Sequence, residues 1–333
     1  MDINSEQGGG SVHSEPFSFT GTGAEFFRIW VVNISLSIIT LGIYSAWAKV
    51  RTKSYFYGNT HLEGNTFAYL ASPVAILKGR VIALLFVLAL TTASEIYPLI
   101  GVAMTLFVLA IIPWLIVRSL RFNATYTAYR NVRFNFVGGW SEAAMAFGVW
   151  PLLSLLTIGV LFPLALCRQQ QFIVGNSAYG TSTFDFEVPA ARFYRICLLA
   201  LGIIILGVMI TAAIEQGPVA GLLLAFTYLV AFAFFRAHLF NITYAGASLN
   251  GHGFKPSMTT AGMGLLYFTN MVAMIVTLGL FYPWARIRTA QYMANSLNAC
   301  LVEPLDQFVA AEAARVNALG EELGDMLDLD ISL

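Results

Sequence analysis

The run TLGIYSAWAKVRTKSYFYGN, Thr40–Asn59, decides how the chain is read, because eight of its residues recur at the same spacing further on. From Thr277 the chain runs TLGLFYPWARIRTAQYMAN. Aligned without gaps, the two share Thr40/Thr277, Leu41/Leu278, Gly42/Gly279, Trp47/Trp284, Ala48/Ala285, Arg51/Arg288, Thr52/Thr289 and Tyr55/Tyr292. A weaker third copy, TIGVLFPLALCRQQQFIVGN, begins at Thr157, so the offsets are 117 and 120 residues. It keeps Gly159, Ala165, Arg168, Gly175 and Asn176, but has Leu164 and Leu166 where the first copy has Trp47 and Lys49.

The likeness extends outside this block. Phe17-Ser-Phe-Thr-Gly21 matches Phe134-Asn-Phe-Val-Gly138, Glu25 falls on Glu142, and Thr66-Phe67 falls on Thr183-Phe184. Arg118, Asn123, Thr125 and Tyr126 match Arg236, Asn241, Thr243 and Tyr244. Chance pairing of apolar helices accounts for shared Leu and Ala, not for this many Gly, Trp, Arg, Asn and Tyr. Self-similarity at a fixed period is the mark of a modular chain. The expected organisation is one unit over 16–133, a second over 134–253 and a partial third over 254–302. A polar, Gly- and Ser-rich lead at 1–15 precedes them and is expected to be disordered. An acidic tail at 303–333 follows, where Val309, Ala313, Val316 and Leu319/Leu323 recur at the spacing of an amphipathic helix in water.

Of the 333 residues 58% are hydrophobic and only 11% are charged, against about 25% charge in an average soluble domain. With a mean hydropathy of +0.72, the chain exceeds what one soluble core could bury, so the bilayer must act as its solvent. Net charge is zero, which removes any general case for nucleic acid. The three cysteines, Cys167, Cys197 and Cys300, have no metal spacing, and no two of the four histidines are placed as ligands on one helix. No metal and no cofactor is expected, and membrane lipids are the only partner implied.

Each unit reads as an apolar helix ending at Thr-Leu/Ile-Gly, a shorter basic segment and a stretch rich in Asn, Thr and aromatics that predicts a β-hairpin. Then comes a pair of long apolar helices split by proline. The pairs lie near Lys78–Ser94 with Leu99–Val117 and Ala191–Ala213 with Val219–Phe235, lengths suited to spanning helices. The predicted fold is all-α and polytopic, with internal repeats and short β-hairpins between helices on the cytoplasmic side. Lys and Arg gather everywhere except in the turns Glu95–Pro98 and Glu215–Pro218. If those turns are external and the rest internal, the positive-inside rule holds and both termini are cytoplasmic. The Thr-Leu/Ile-Gly segments must then break at Gly42, Gly159 and Gly279 and return to the side they left, and their tips need protein or water around them. Seven simple spans are the rival.

These residues, above all the FSFTG run, the Thr-Leu-Gly…Trp-Ala-Lys-Val-Arg…Tyr-Phe-Tyr-Gly-Asn-Thr run and Phe122-Asn-Ala-Thr-Tyr126 with Arg133-Phe-Asn-Phe136, resemble the YjgN-like family, domain of unknown function 898. The resemblance covers about Phe17 to Asn298. It implies a multi-span protein of a Gram-negative inner membrane, and no activity.

Candidate functional residues fall in two groups. Trp47, Lys49 and Arg51, with Trp284, Arg286 and Arg288, set an aromatic beside cations at a helix end. That suits an interfacial anchor, or a site for anionic lipid or solute. Asn33 and Asn270 match across units and lie mid-span, where Asn bonds between helices or meets a ligand. Glu25 and Glu142 open their helices, a placement that favours the helix dipole or a cation site. Arg28, one turn in, is placed to snorkel or to pair with Glu25. No catalytic cluster is visible, so an enzyme is the weakest class. A transporter or channel for a small solute or lipid leads. A non-transporting scaffold that binds anionic lipid or an envelope protein through its basic face is the alternative.

Overall fold

The computed structural model describes residues 13–331 apart from 97, 215 and 216. The turns carrying Tyr97, Glu215 and Gln216, and lead residues 1–12, therefore lie outside the described residues.

Among the described residues four helices are long and apolar enough to cross a bilayer. They form two antiparallel pairs, α3 (Pro73–Ile96) with α4 (Pro98–Thr125), and α7 (Ala190–Ala212) with α8 (Pro218–Ala245). At about 1.5 Å per residue each exceeds the roughly 30 Å hydrocarbon core. Three shorter hairpins sit between and beside them: α1 (Gly23–Ile39) with α2 (Ser45–Gly58), α5 (Trp140–Leu156) with α6 (Phe162–Gly175), and α9 (Thr260–Val276) with α10 (Tyr282–Asn295). Each helix packs on its chain neighbours and α1 packs on α10, so the helices form a ring.

The Thr-Leu/Ile-Gly motif is the turn of each short hairpin. Leu41, Ile158 and Leu278 adopt φ of 49°, 51° and 50°, and the following glycines take 91°, 85° and 88°. Two successive left-handed residues reverse the chain, and the second is the position where glycine carries no steric penalty. Gly42, Gly159 and Gly279 each donate a 2.7 Å bond to a carbonyl five residues back. The threonine hydroxyl donates to the carbonyl four residues back and accepts from the amide four residues on. Each tip thus bonds part of its own backbone, which lowers the cost of placing it in hydrocarbon. Among the described residues nothing covers Leu41, Ile158 and Leu278, which are 94–96% exposed.

The fold is not all-α. The described residues form two antiparallel sheets, of five and seven strands, in the orders β1-β12-β11-β10-β9 and β2-β3-β4-β5-β6-β7-β8. Their strands are β1 (His13–Pro16), β2 (Ser18–Phe19), β3 (Thr60–Leu62), β4 (Asn65–Tyr69), β5 (Thr127–Tyr129), β6 (Val132–Phe136), β7 (Ser177–Tyr179), β8 (Ser182–Thr183), β9 (Asp185–Phe186), β10 (Ala247–Leu249), β11 (His252–Pro256) and β12 (Leu297–Leu301). A single residue, Phe17, separates β1 from β2, and its amide bonds Leu297 of β12. Likewise only Phe184 separates β8 from β9, and its amide bonds Ser177 of β7. The two sheets therefore share two kinked strands, and the ladder closes on itself into an up-and-down barrel of ten continuous strands. Closure removes every free edge, which isolated short hairpins would have left open. It also draws His13–Glu15 out of the expected disordered lead and onto Leu301, Cys300 and Ala299.

Connectivity sets the polarity of the barrel. All five helical hairpins leave and re-enter at one end. At the other end the strands are joined by two-residue turns, Glu63-Gly64, Arg130-Asn131, Gly180-Thr181 and Asn250-Gly251. Outward positions such as Ser14, Thr66, Arg133, Asn135 and Lys255 are polar and exposed. The barrel therefore stands in water, the reverse of a lipid-embedded barrel. The last helix, α11 (Leu305–Ile331), lies across the turn end and buries Leu305, Phe308, Val309 and Glu312, while Val316 is exposed. It is docked on the barrel, not free in water, and its buried face includes a carboxylate that apolar periodicity cannot reveal.

Candidate functional site

Strand alternation aims every second side chain inward. Five phenylalanines, Phe17, Phe67, Phe134, Phe184 and Phe254, come one from every second strand and form a belt around the lumen. Phe17 lies 6.5 Å from Phe67 and 6.4 Å from Phe254, centroid to centroid, and Phe67 lies 6.4 Å from Phe134. These rings are only partly buried although the strands around them are packed, because they face an open interior. Nearer the turns, Leu62, Tyr129, Tyr179, Leu249 and Leu301 form a second layer. The tyrosine hydroxyls are consumed by the barrel itself: Tyr129 donates to the Leu62 carbonyl at 2.8 Å and Tyr179 to the Tyr129 carbonyl at 3.0 Å. Burial pushes the Tyr129 hydroxyl up to about 12, and Tyr179 is raised as well, first by burial and then by Tyr129 beside it. What these residues offer the lumen is ring surface.

The chamber has a volume of about 740 Å³, within the roughly 300–1,000 Å³ of ligand pockets. Its lining is overwhelmingly apolar, with ten strands holding the wall further apart than the eight whose side chains just fill a small barrel. At the helical end it continues between the last turns of α2 (Phe56, Tyr57), α6 (Ile173, Val174), α8 (Phe240, Tyr244) and α10 (Met293, Ala294). At the other end α11 closes it with Leu305, Phe308 and Val309.

Polar contacts hold that closure. Glu312, 0% exposed, accepts bonds from the Thr181 amide (2.8 Å), the Thr181 hydroxyl (2.9 Å), the Ser182 hydroxyl (2.7 Å) and Arg315 (2.8 Å). Burial alone would raise its carboxyl, but the donors outweigh it and hold the group below the usual carboxylate range. Gly180 is required here twice over: its φ is +61° and a Cβ would sit 2.7 Å from Glu312 Oε2. Arg130 pairs with Glu63 at 3.0 Å and with Asp306 in the first turn of α11. His252 accepts from the Val302 amide through Nδ1 and packs edge-on against Phe308.

Of the residues singled out from sequence, Asn33, Lys49 and Arg286 converge on one groove between the α1–α2 and α9–α10 hairpins. Asn270 is elsewhere and occupied: it donates to the Ala285 carbonyl and accepts from Arg288 at 2.7 Å. Glu25 accepts from the Tyr55 hydroxyl (3.0 Å) and Glu142 from Asn176 (3.3 Å), at the barrel ends of their hairpins. The Thr22 side chain caps α1. Among the described residues Arg28 makes no ion pair with Glu25, contrary to the spacing argument. Trp47 stacks on Tyr44. Trp284 packs on Phe27 and against Gly23, where a Cβ would come within 2.1 Å of its ring, so it seals the seam between two hairpins. Arg51 is exposed. The lumen layers and the α11 latch went unrecognised. Their signal was the recurring Phe-x-Phe and Thr-Phe pairs, visible as repeats but without a barrel to give them an inside. Among the described residues no cluster of His, Cys, Asp or Glu could hold a metal ion.

Bilayer-length helices carrying a water-exposed barrel with an apolar chamber define a polytopic membrane protein with a lumen outside the bilayer. Over residues 14–326 the sequence matches the family described as Bacterial protein of unknown function (DUF898), and the chain belongs to that family. It is similar to the inner membrane protein YjgN of Salmonella typhimurium, at 24% identity with 85% of this chain and 88% of that one covered. It is also similar to the inner membrane protein YjgN of Escherichia coli O157:H7, at 32% identity over 58% of this chain and 46% of that one. No solved structure matches the chain.

Proposed function

We propose that the protein takes the acyl chain of a membrane amphiphile into the barrel lumen and thereby moves lipid between the bilayer and the aqueous side. The observation that carries this is the chamber of about 740 Å³, aromatic and aliphatic inside, closed by α11 at the water end and continued between helices at the membrane end. A polar solute would lose its hydration there without replacement hydrogen bonds. An alkyl chain gains about 0.8 kcal/mol for each CH₂ kept from water. The barrel and both termini are cytoplasmic in this proposal, because Arg118, Arg133, Arg192 and Lys255 all lie toward the barrel, where the positive-inside rule puts them. The chain is two full units and a partial third, since the three tip motifs share sequence, backbone angles and hydrogen bonds.

The test is binding of a fluorescent fatty acid to the detergent-purified protein. Ala294→Trp and Ala290→Trp place an indole in the helical end of the lumen and should weaken binding about tenfold. Unchanged affinity in both variants would overturn the proposal.

A further inference from the structure

The three short hairpins carry an arginine at matching positions, and each treats it differently. In the third, Arg288 donates to Asn270 Oδ1 (2.7 Å) and Thr269 Oγ1 (2.9 Å). In the second, the residue matching Asn270 is Trp150, and Arg168 lies over its ring at 5.7 Å. In the first, Asn33 repeats the amide donation of Asn270, to the Ala48 carbonyl at 3.4 Å. Yet among the described residues its Oδ1 has no partner, although Asn33 is 95% buried, and Arg51 is exposed.

Asn33 lines a groove of about 760 Å³ between the first and third hairpins, which also presents Lys49, Lys53 and Arg286. Arg80 of α3 reaches its rim through Ser45. No carboxylate lines the groove, and no ion pair is made by any of these cations among the described residues. Lys53 is held by Asn123 at 2.5 Å, whereas Lys49 and Arg286 are exposed. Like charges gathered beside apolar helix tips repel one another at low effective dielectric, and an anion placed among them relieves that repulsion. The guanidinium of Arg286 lies over Phe56, 5.3 Å from the ring centroid, and Phe56 is also part of the lumen wall. The groove and the chamber thus meet across one aromatic ring.

We infer that this groove binds the phosphate-bearing headgroup of the amphiphile whose chain occupies the lumen. Lys49 and Arg286 hold the phosphate, with Lys53 behind them. The ligand class is an anionic, phosphate-bearing glycerolipid. The inference rests on the lumen as the acyl-chain site, and the two fail separately.

Binding to the purified full chain is measured for three probes: dioctanoyl phosphatidylglycerol, dioctanoylglycerol and glycerol 3-phosphate. The phosphatidylglycerol should bind about tenfold or more tightly than the diacylglycerol, and added salt should erase that difference. Lys49→Gln with Arg286→Gln should weaken only the phosphatidylglycerol, again about tenfold, while Lys255→Gln on the barrel exterior changes nothing. Asn33→Asp, which puts a carboxylate in the wall of the groove beside these cations, should weaken it as well. Equal affinity for the two lipids, or a double variant that binds phosphatidylglycerol as the parent does, overturns the headgroup site and leaves the lumen standing. Glycerol 3-phosphate binding as tightly as the lipid, with Ala294→Trp without effect on either, marks a soluble phosphate ligand and overturns both.

Discussion

Glu312→Gln isolates what holds the chamber shut. Three of the four donors around Glu312 belong to the barrel, all within 2.7–2.9 Å, and the fourth is Arg315 on its own helix. A hydrogen bond to a charged group contributes about 1.5–3 kcal/mol and one between neutral groups about 0.5–1.5 kcal/mol. Neutralising the acceptor therefore costs about 1 kcal/mol at each of the three barrel contacts, roughly 3 kcal/mol in all. The apolar part of the docking, Leu305, Phe308 and Val309, contributes about 1.5–3 kcal/mol per side chain and remains. The helix should stay docked but open more often, by about two orders of magnitude at roughly 1.4 kcal/mol per factor of ten.

Amide hydrogen exchange over residues 305–318 reads this directly, with β7 as the internal reference, since local opening and global unfolding separate in that measurement. The pH dependence carries the sign. Because the folded carboxyl titrates below its ordinary value, its contribution is complete above the unfolded value and disappears as pH falls through the folded one. The parent should loosen over 305–318 only in acid, after correction for the intrinsic exchange rate, and Glu312→Gln should show no such step. Equal protection in parent and variant at neutral pH, or the same acid step in both, would refute the latch.

Two further outcomes follow from the packing and the topology. Gly23→Ala drives a Cβ into the Trp284 ring and should destabilise the seam between the first and third hairpins by about 1–3 kcal/mol. Melting of the detergent-solubilised protein checks it, and Gly23→Ala combined with Trp284→Ala should recover part of the loss, since the two residues couple. A cysteine at Lys255, on the outer face of β11, should react with a thiol reagent only when that reagent can enter the cytoplasm; labelling by a periplasm-restricted reagent would reverse the assigned orientation.

Much of the local structure was legible because it depends on residues close in sequence. The hairpin tips are written in Thr-Leu/Ile-Gly, where one threonine side chain and one glycine complete a turn within about ten residues. The β-hairpins were visible in their turn residues and aromatics, and the long helices in their uninterrupted apolar runs. Candidate residues fared unevenly. Asn33 and Asn270 look identical in sequence, yet Asn270 is satisfied by Arg288 while Asn33 lines a groove, although Arg51 stands at the matching position.

What the chain alone determined, then, was its solvent and its local turns: apolar length demands a bilayer, and short-range hydrogen bonds fold the tips. The barrel was decided only in three dimensions. Strands of two to five residues carry too few side chains to declare a register, and the ladder closes through the pairing of His13 with Leu301, positions at opposite ends of the described chain. The inside of the lumen, the groove beside it and the buried carboxylate of α11 exist because that ring is closed, and no local pattern encodes which distant strand completes it.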